Sequence, residues 1–374
     1  MFHIYIAIAC AYVLWRFVLP LPWSARARIA LGAVLVLISS KRLVYIALFG
    51  NMYSPELPFG VVVTMGWLWC AFALLFVITL ALDIGVSCAR LFVRKACLAL
   101  VASKLRYVGA VVALVLAGFG VSQAIAVPEV RRVELQIPGL PGELDGFRLI
   151  QLTDLHISTM FPASWVERVV QRTNALDADL IVVTGDVIDG TTAARESDVR
   201  PLGDLRAKLG VIASPGNHEY YFGLKEWVNK LESLGMRVLV NSHEIVDTGR
   251  GPLAIVGVAD TVALRYGLDG PDIARATQGI DGGVVKILLS HRPVDTQPHA
   301  AAGVALQLSG HTHGGMILGF DRVVRNANDG FVSGLYTIGG MQLYLSNGTG
   351  LWNGFPIRLG VASEITELVL RSPR

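Results

Sequence analysis

Five short turns hold the residue types that could do metal chemistry: Thr153-Asp154-Leu155-His156, Gly185-Asp186-Val187-Ile188-Asp189, Gly216-Asn217-His218-Glu219, Ser290-His291-Arg292-Pro293 and Gly310-His311-Thr312-His313-Gly314-Gly315. Each follows an apolar run, and together they contain five of the eight histidines. Carboxylate and amide oxygens combined with imidazole nitrogens suit Mn2+, Fe or Zn2+ better than thiolate-seeking metals. Two such ions about 3.5–4 Å apart can grip a phosphoryl oxygen, acidify a water between them and stabilise in-line displacement. An isolated Asp-x-His or His-x-His is more often a capped turn or a solvated pair. Five in series, each after an apolar run, point to one shared centre.

The elements that must position these turns are legible around Asp186. Leu180–Val183 is a run of four apolar residues that passes into Thr184-Gly185-Asp186, the pattern of a strand buried on both faces and closed by a polar turn. In an open α/β sheet the carboxyl ends of the strands carry the ligand site, so a carboxylate there can bridge two ions. Further strands are expected at Phe147–Leu152, Gly210–Ala213, Leu253–Val258, Val284–Leu289 and Val304–Leu308, with amphipathic helices at Ala163–Leu176 and Leu224–Leu234. This alternation predicts an α/β sandwich. Gly330–Leu345 and Glu364–Leu370 read as hairpin-forming strands around Asn347–Gly350, and Val127–Asp145, broken by Pro128, Pro138 and Pro141, reads as a linker and opening hairpin.

Upstream the composition changes. The chain has 374 residues and is 53% apolar, and residues 1–126 hold ten Lys/Arg against two Asp/Glu, leaving 22 against 27 for the rest. Positive charge therefore lies beside apolar spans and away from the turns, which argues against a nucleic-acid partner. Uncharged runs at Leu57–Leu82 and Tyr107–Pro128 are long enough to cross a bilayer. Phe2–Pro20 gives an earlier span, retained because no small-residue cleavage site precedes Arg16. Ile29–Gly50 is the weakest of the four, since Lys41 and Arg42 near its middle each cost roughly 2.5–3.5 kcal/mol in a bilayer. The loop carrying Arg90, Arg94, Lys95, Lys104 and Arg106 is expected to be cytoplasmic, which puts everything after Pro128 outside the cytoplasm. The expected organisation is a membrane region over 1–127, a linker over 128–145 and a catalytic domain over 146–374. Cys10, Cys70, Cys88 and Cys97 show no metal-cage or disulfide spacing and read as inert apolar residues.

The series of turns resembles the calcineurin-like metallophosphoesterases. The preceding spans and the closing Pro356-Ile357-Arg358-Leu359 before Glu364 are similar to the membrane-associated YkuE/YaeI-type branch. The resemblance implies a four-layer α/β/β/α sandwich preceded by an all-α transmembrane region of about four helices. It implies that Asp154, His156, Asp186 and His313 hold a first metal, that Asp186, Asn217, His291 and His311 hold a second, and that His218 lies over the substrate as proton donor or charge stabiliser. It departs from the branch at Met316, where Gln is usual. Asp189 and Glu219 read as groups that orient ligands or cap turns, and His243 and His299 as surface residues. Arg292 reads equally as a phosphate contact or a surface ion pair, and Trp352, Asn353 and Phe355 as packing and turn residues, with a lipid- or substrate-facing role as the lesser reading. The implied function is hydrolysis of phosphoric esters with two divalent or mixed-valence ions, Mn2+ first and Fe or Zn2+ as alternatives. A phosphodiesterase of envelope or lipid-linked material comes first, then a phosphomonoesterase or a pyrophosphohydrolase of a nucleotide-linked lipid precursor. A metal-binding membrane sensor or scaffold is the rival from another class. The partners are a phosphoester substrate and the bilayer, and the oligomeric state stays open.

Overall fold

The computed structural model describes residues 2–91 and 95–373; Arg94 lies outside them, as do the side chains of Lys95 and Cys97. The chain divides into two compact units, Met1–Gln123 with Asn353–Leu359, and Ala124–Trp352 with Gly360–Arg374.

The first unit is helical: α1 (Phe2–Val13, continued by a π turn to Val18), α2 (Ala25–Ser39), α3 (Lys41–Phe49), α4 (Phe59–Ala89) and α5 (Lys95–Ala124). Among the described residues, α4 and Lys104–Ala124 of α5 are each long and apolar enough to cross a membrane. Two helices, or three if α2 and α3, bent by 61°, form one broken span, meet that criterion of length and composition. Phe2–Val18 is a shorter apolar helix that stops before Pro20. Asp83 of α4 is held by its neighbours, accepting from Tyr12 Oη at 2.7 Å, Arg16 Nε at 2.7 Å and Arg106 Nη2 at 3.2 Å. That pairing offsets the cost of a carboxylate among apolar helices. Asn353–Leu359 returns to this unit: the Arg358 N–H donates to Gly120 O at 3.0 Å, and a Cβ on Gly120 would lie 3.1 Å from both Ile357 Cδ1 and Leu359 Cδ2.

The second unit holds two six-stranded sheets. Its strands are β1 (Glu129–Gln136), β2 (Phe147–Leu152), β3 (Leu180–Thr184), β4 (Val211–Ser214), β5 (Met236–Val238), β6 (Ser242–Asp247), β7 (Pro252–Gly257), β8 (Val285–Leu289), β9 (Val304–Ser309), β10 (Gly334–Ile338), β11 (Met341–Leu345) and β12 (Glu364–Arg371). The first sheet runs β1-β12-β2-β3-β4-β5 and the second β10-β11-β9-β8-β7-β6. Strands β2 to β5 are mutually parallel, as are β7, β8, β9 and β11, so their carboxyl ends point one way within each sheet.

The sheets pack face to face. Leu149, Leu180, Val182 and Ile212 of the first share a core with Leu253, Ile255, Ile287, Leu289, Leu306 and Leu308 of the second. The alternate residues Ile181 and Val183 are equally buried and face outward. The crossover helices α6 (Ala163–Asn174), α7 (Thr192–Val199), α8 (Asn217–Tyr221) and α9 (Leu224–Ser233) connect the parallel strands, and right-handed connection sets them on that one face. On the second sheet Val256, Val258 and Leu288 pack with Ala276 of α10 (Ile273–Thr277) and Ala300 of α11 (Thr296–Ala301). The result is the α/β/β/α layering expected.

Some sequence expectations change: Glu364–Leu370 forms no hairpin and instead lies in β12 between β1 and β2. Residues 129–136 form an edge strand parallel to β12, with no opening hairpin; the charges that disguise it are tolerated because an edge strand faces solvent. Arg172 Nη1 ties its start down by donating to Val127 O and Pro128 O. His299 is 2% exposed and not a surface residue, its Nδ1 lying 2.9 Å from Gln307 Oε1. Burial disfavours its charged form and lowers its pKa.

Candidate metal centre

The turns after β2, β3, β4, β8 and β9 converge, and in each the first nominated side chain lies within three residues of the strand's end. Asp154, His156 and His313 offer ligand atoms within 4.8 Å of one another, as do Asp186, His291 and His311, and as do His156, Asp189 and His218. Asp186 connects these groups. Its Oδ2 lies 3.1 Å from His291 Nε2 and 3.8 Å from the Nε2 atoms of both His156 and His218, and its Oδ1 accepts the His218 N–H at 2.8 Å. Asn217 joins through Arg292, whose Nη2 donates to Asn217 Oδ1 at 2.9 Å while Nη1 sits 3.0 Å from His311 Nε2. All seven side chains that the sequence nominates as ligands are thus gathered at the strand ends.

The local backbone is forced to deliver them. Asp154, His156, Asp186, His311 and His313 have φ of 53°, 46°, 52°, 70° and 49°. Left-handed conformations cost non-glycine residues free energy and concentrate where function overrides it. Crowding acts with strain: a Cβ on Gly216 would fall 2.9 Å from His291 Cγ and still closer to the Asp186 carboxylate. Only a hydrogen leaves room for the β3 and β4 turns to meet.

A layer of partners aims the ligands. His156 Nδ1 lies 3.3 Å from Asp189 Oδ1, and His291 Nδ1 lies 2.8 Å from Thr184 O. Each imidazole therefore presents Nε2 inward, as metal-binding histidines do when the other nitrogen is held. Both Nε2 atoms are buried without a hydrogen-bond partner. Inward-facing imidazole nitrogens among carboxylates become the donor set a cation requires once their protons leave, so the residues fit a divalent metal. Glu219 works on the backbone, its carboxylate accepting from Gly216 N at 2.7 Å, Asp186 N at 3.1 Å and Val187 N at 2.7 Å.

The sequence reading gave no part to Asp260, which follows the apolar run of β7 just as the nominated acids follow theirs. Its carboxylate receives Arg292 Nε at 2.9 Å and so fixes the guanidinium over Asn217 and His311. Arg292 thus makes an ion pair, with the buried Asp260 carboxylate, and the same guanidinium reaches Asn217 and His311. Met316, in place of Gln, is 9% exposed with φ 61° and sits beyond the two glycines that follow His313.

Electrostatics balance within the cluster. Burial opposes ionisation of Asp189, yet His218 and His156 hold its pKa down at about 2. Burial works against charging His291, but the Asp186 carboxylate overcomes it and raises its pKa to about 10; Asp189 likewise raises His156. His311 moves the other way, lowered by burial and by the Arg292 charge. Both shifts favour the protonated imidazoles in the metal-free protein, so a cation competes with those protons. Metal loading is expected to release protons, and apparent affinity to rise with pH from 6 to 9. Calorimetric titration in buffers of different ionisation enthalpy reads the release; an affinity flat across that range would mean these imidazoles are not ligands.

Residues 147–315 match the family of calcineurin-like phosphoesterases. A metallophosphoesterase of Campylobacter jejuni, itself uncharacterized, is 33% identical over 256 residues, covering 68% of this chain and 66% of that one. A transmembrane protein with metallophosphoesterase domain from Danio rerio is 34% identical over 275 residues, 70% of this chain and 61% of that one. The uncharacterized metallophosphoesterase YkuE of Bacillus subtilis is 29% identical over 239 residues, 62% and 82% of the respective chains. The matched stretch thus spans two thirds or less of the first two relatives' own lengths. The transmembrane relative and the long apolar helices support membrane association of this chain. With these sequence likenesses falling on the stretch that carries all five converging turns, the chain belongs to the calcineurin-like metallophosphoesterases.

Proposed function

We propose that this chain is a membrane-anchored hydrolase of phosphoric esters that works with two divalent ions, and that its first substrates are phosphodiesters of envelope or lipid-linked material. The observation behind this reading is the Asp186 carboxylate, set among three imidazole nitrogens at the meeting of the ligand groups. When bound, the ions supply an acidified water and neutralise phosphoryl charge. Asp186 would hold both, Asp154, His156 and His313 one of them, and Asn217, His291 and His311 the other. His218, its Nδ1 against Asp189, is set to give a proton to the leaving oxygen or to steady charge on the phosphoryl group. Arg292, anchored by Asp260, brings a guanidinium to the same opening.

The membrane tether favours substrates at the bilayer. The basic residues Arg90 and Arg106 beside the long helices favour a domain outside the cytoplasm. Purified full-length chain, supplied in turn with Mn2+, Fe2+ and Zn2+, is expected to cleave a diester faster than a monoester or a pyrophosphate. Preference for a pyrophosphate, together with protection of the domain from protease added to intact spheroplasts, would replace this reading with a cytoplasmic lipid-precursor hydrolase. Absence of turnover with every metal and substrate would leave a metal-binding scaffold.

A further inference from the structure

The helical unit contains a buried cation for which the phosphoesterase reading has no use. Lys41 is 4% exposed and opens α3 at the 61° bend. Its ammonium donates to the backbone O of Asn353 at 3.0 Å and lies 5.7 Å from the Tyr45 ring centroid, one helical turn on. An ammonium has three donors, and no carboxylate among the described residues forms an ion pair with this one. The unit's acids are Glu56, bonded by Ser54, and Asp83, taken by Arg16 and Arg106. Around the uncompensated charge stand groups that also lack partners. Asn353 is 1% exposed with both side-chain amide atoms unbonded, and Tyr45 is 2% exposed with its hydroxyl unbonded.

Leaving a cation, an amide and a hydroxyl buried and unsatisfied would each cost free energy, so the cluster calls for an occupant. The donors outnumber the acceptors: two ammonium N–H, the Asn353 amide N–H pair and the Tyr45 O–H, against Asn353 Oδ1 and the Tyr45 oxygen. The cluster lies at the break where α2 ends and α3 begins on the shared residue Ser40, whose side chain makes no cap bond to α3.

We propose that Lys41, Tyr45 and Asn353 form a binding site for a phosphate-bearing anion, and that the occupant is a phospholipid head group. The bilayer supplies that chemistry wherever this chain resides, and a hydroxylated head group also gives Asn353 Oδ1 a donor. Free phosphate shares the charge and is the other source.

The test uses full-length protein in mild detergent, with thermal unfolding followed against added phosphatidylglycerol, diacylglycerol or inorganic phosphate. Phosphatidylglycerol is expected to raise the midpoint of the native chain and of Lys41→Arg, and diacylglycerol to leave it unmoved. In Lys41→Met the apparent affinity should fall at least about tenfold, the worth of one hydrogen bond to a charged group. Asn353→Ala keeps the backbone oxygen that receives Lys41 but loses the amide, so it should also weaken the response. An inorganic phosphate effect as large as that of the lipid, and abolished in Lys41→Met, would support the site while naming the free anion as occupant. An unchanged lipid response in Lys41→Met overturns the proposal. Should that variant fail to fold, an unchanged response in Asn353→Ala overturns it instead.

Discussion

Asp186→Asn is expected to empty both metal positions and to abolish turnover. Asn keeps the size and hydrogen-bonding shape of the side chain, so the turn should still form: Oδ1 of an amide can accept the His218 N–H that Asp186 accepts now at 2.8 Å. What disappears is one negative charge from the place where two divalent ions would repel one another across about 3.5–4 Å. A residue that binds a single ion should lose that ion selectively when it is changed. Asp154→Ala should therefore vacate mainly the His313 side, and Asn217→Ala mainly the His291 and His311 side. Substitution of an orienting partner costs about 10–100-fold in metal affinity, and a shared ligand should exceed that at both positions. Metal content after dialysis, with folding checked by circular dichroism, separates these patterns. Two ions and substantial turnover in Asp186→Asn would refute the bridging role.

Much of this centre could be read from the chain because each nominated side chain follows its own strand closely. A buried strand writes an apolar run, the turn after it writes polar residues and glycine, and the two together mark a sheet edge without any knowledge of pairing. Asp154, Asp186, Asn217, His291 and His311 all sit in such signatures. Relations between turns leave no such mark. Asp260 is 32 residues from Arg292, and Arg292 is 75 from Asn217, so the guanidinium's aim depends on β7, β8 and β4 ending together. Glu219 was legible as a turn group, but not the three N–H groups it collects from two turns. Edge strands hide for a different reason. β1 and β6 meet solvent and carry charge, so their periodicity is weak, whereas β3 is buried along its whole length. The helical unit deceives through length. Its apolar composition announces a membrane, but the bend at Ser40 and the stop near Pro20 come from local backbone and decide how many helices are long enough to cross. The return of Asn353–Leu359 to that unit has no compositional signal, since Phe, Pro, Ile and Leu are equally at home in a packed loop.

His218→Ala is expected to keep close to two ions per chain while losing about 10²–10⁴-fold in rate, the usual worth of a positioned proton donor. Distances alone leave two roles open to this residue, because His218 shares a cluster with His156 and Asp189 that could itself hold a cation. The reach of Nε2 separates them: that of His156 lies 3.8 Å from both Asp154 and Asp186, whereas that of His218 is near Asp186. Nδ1 is turned to Asp189, leaving Nε2 as the nitrogen nearest Asp186 at 3.8 Å. His156 already presents an orphaned Nε2 to the same region and shares the Asp189 carboxylate through its own Nδ1. One carboxylate thus holds two imidazoles, one assigned to metal and one to substrate. Their loss should be felt differently: His156→Ala should cost metal first and rate as a consequence, whereas His218→Ala should cost rate with metal in place. Leaving-group dependence adds a second readout. A proton donor matters most for a poor leaving group, so the deficit of His218→Ala should shrink toward activated aryl esters and widen toward alkyl esters. If His218→Ala instead loses an ion and shows the same deficit with every leaving group, His218 is a ligand, and the proton must be supplied by another group facing that opening.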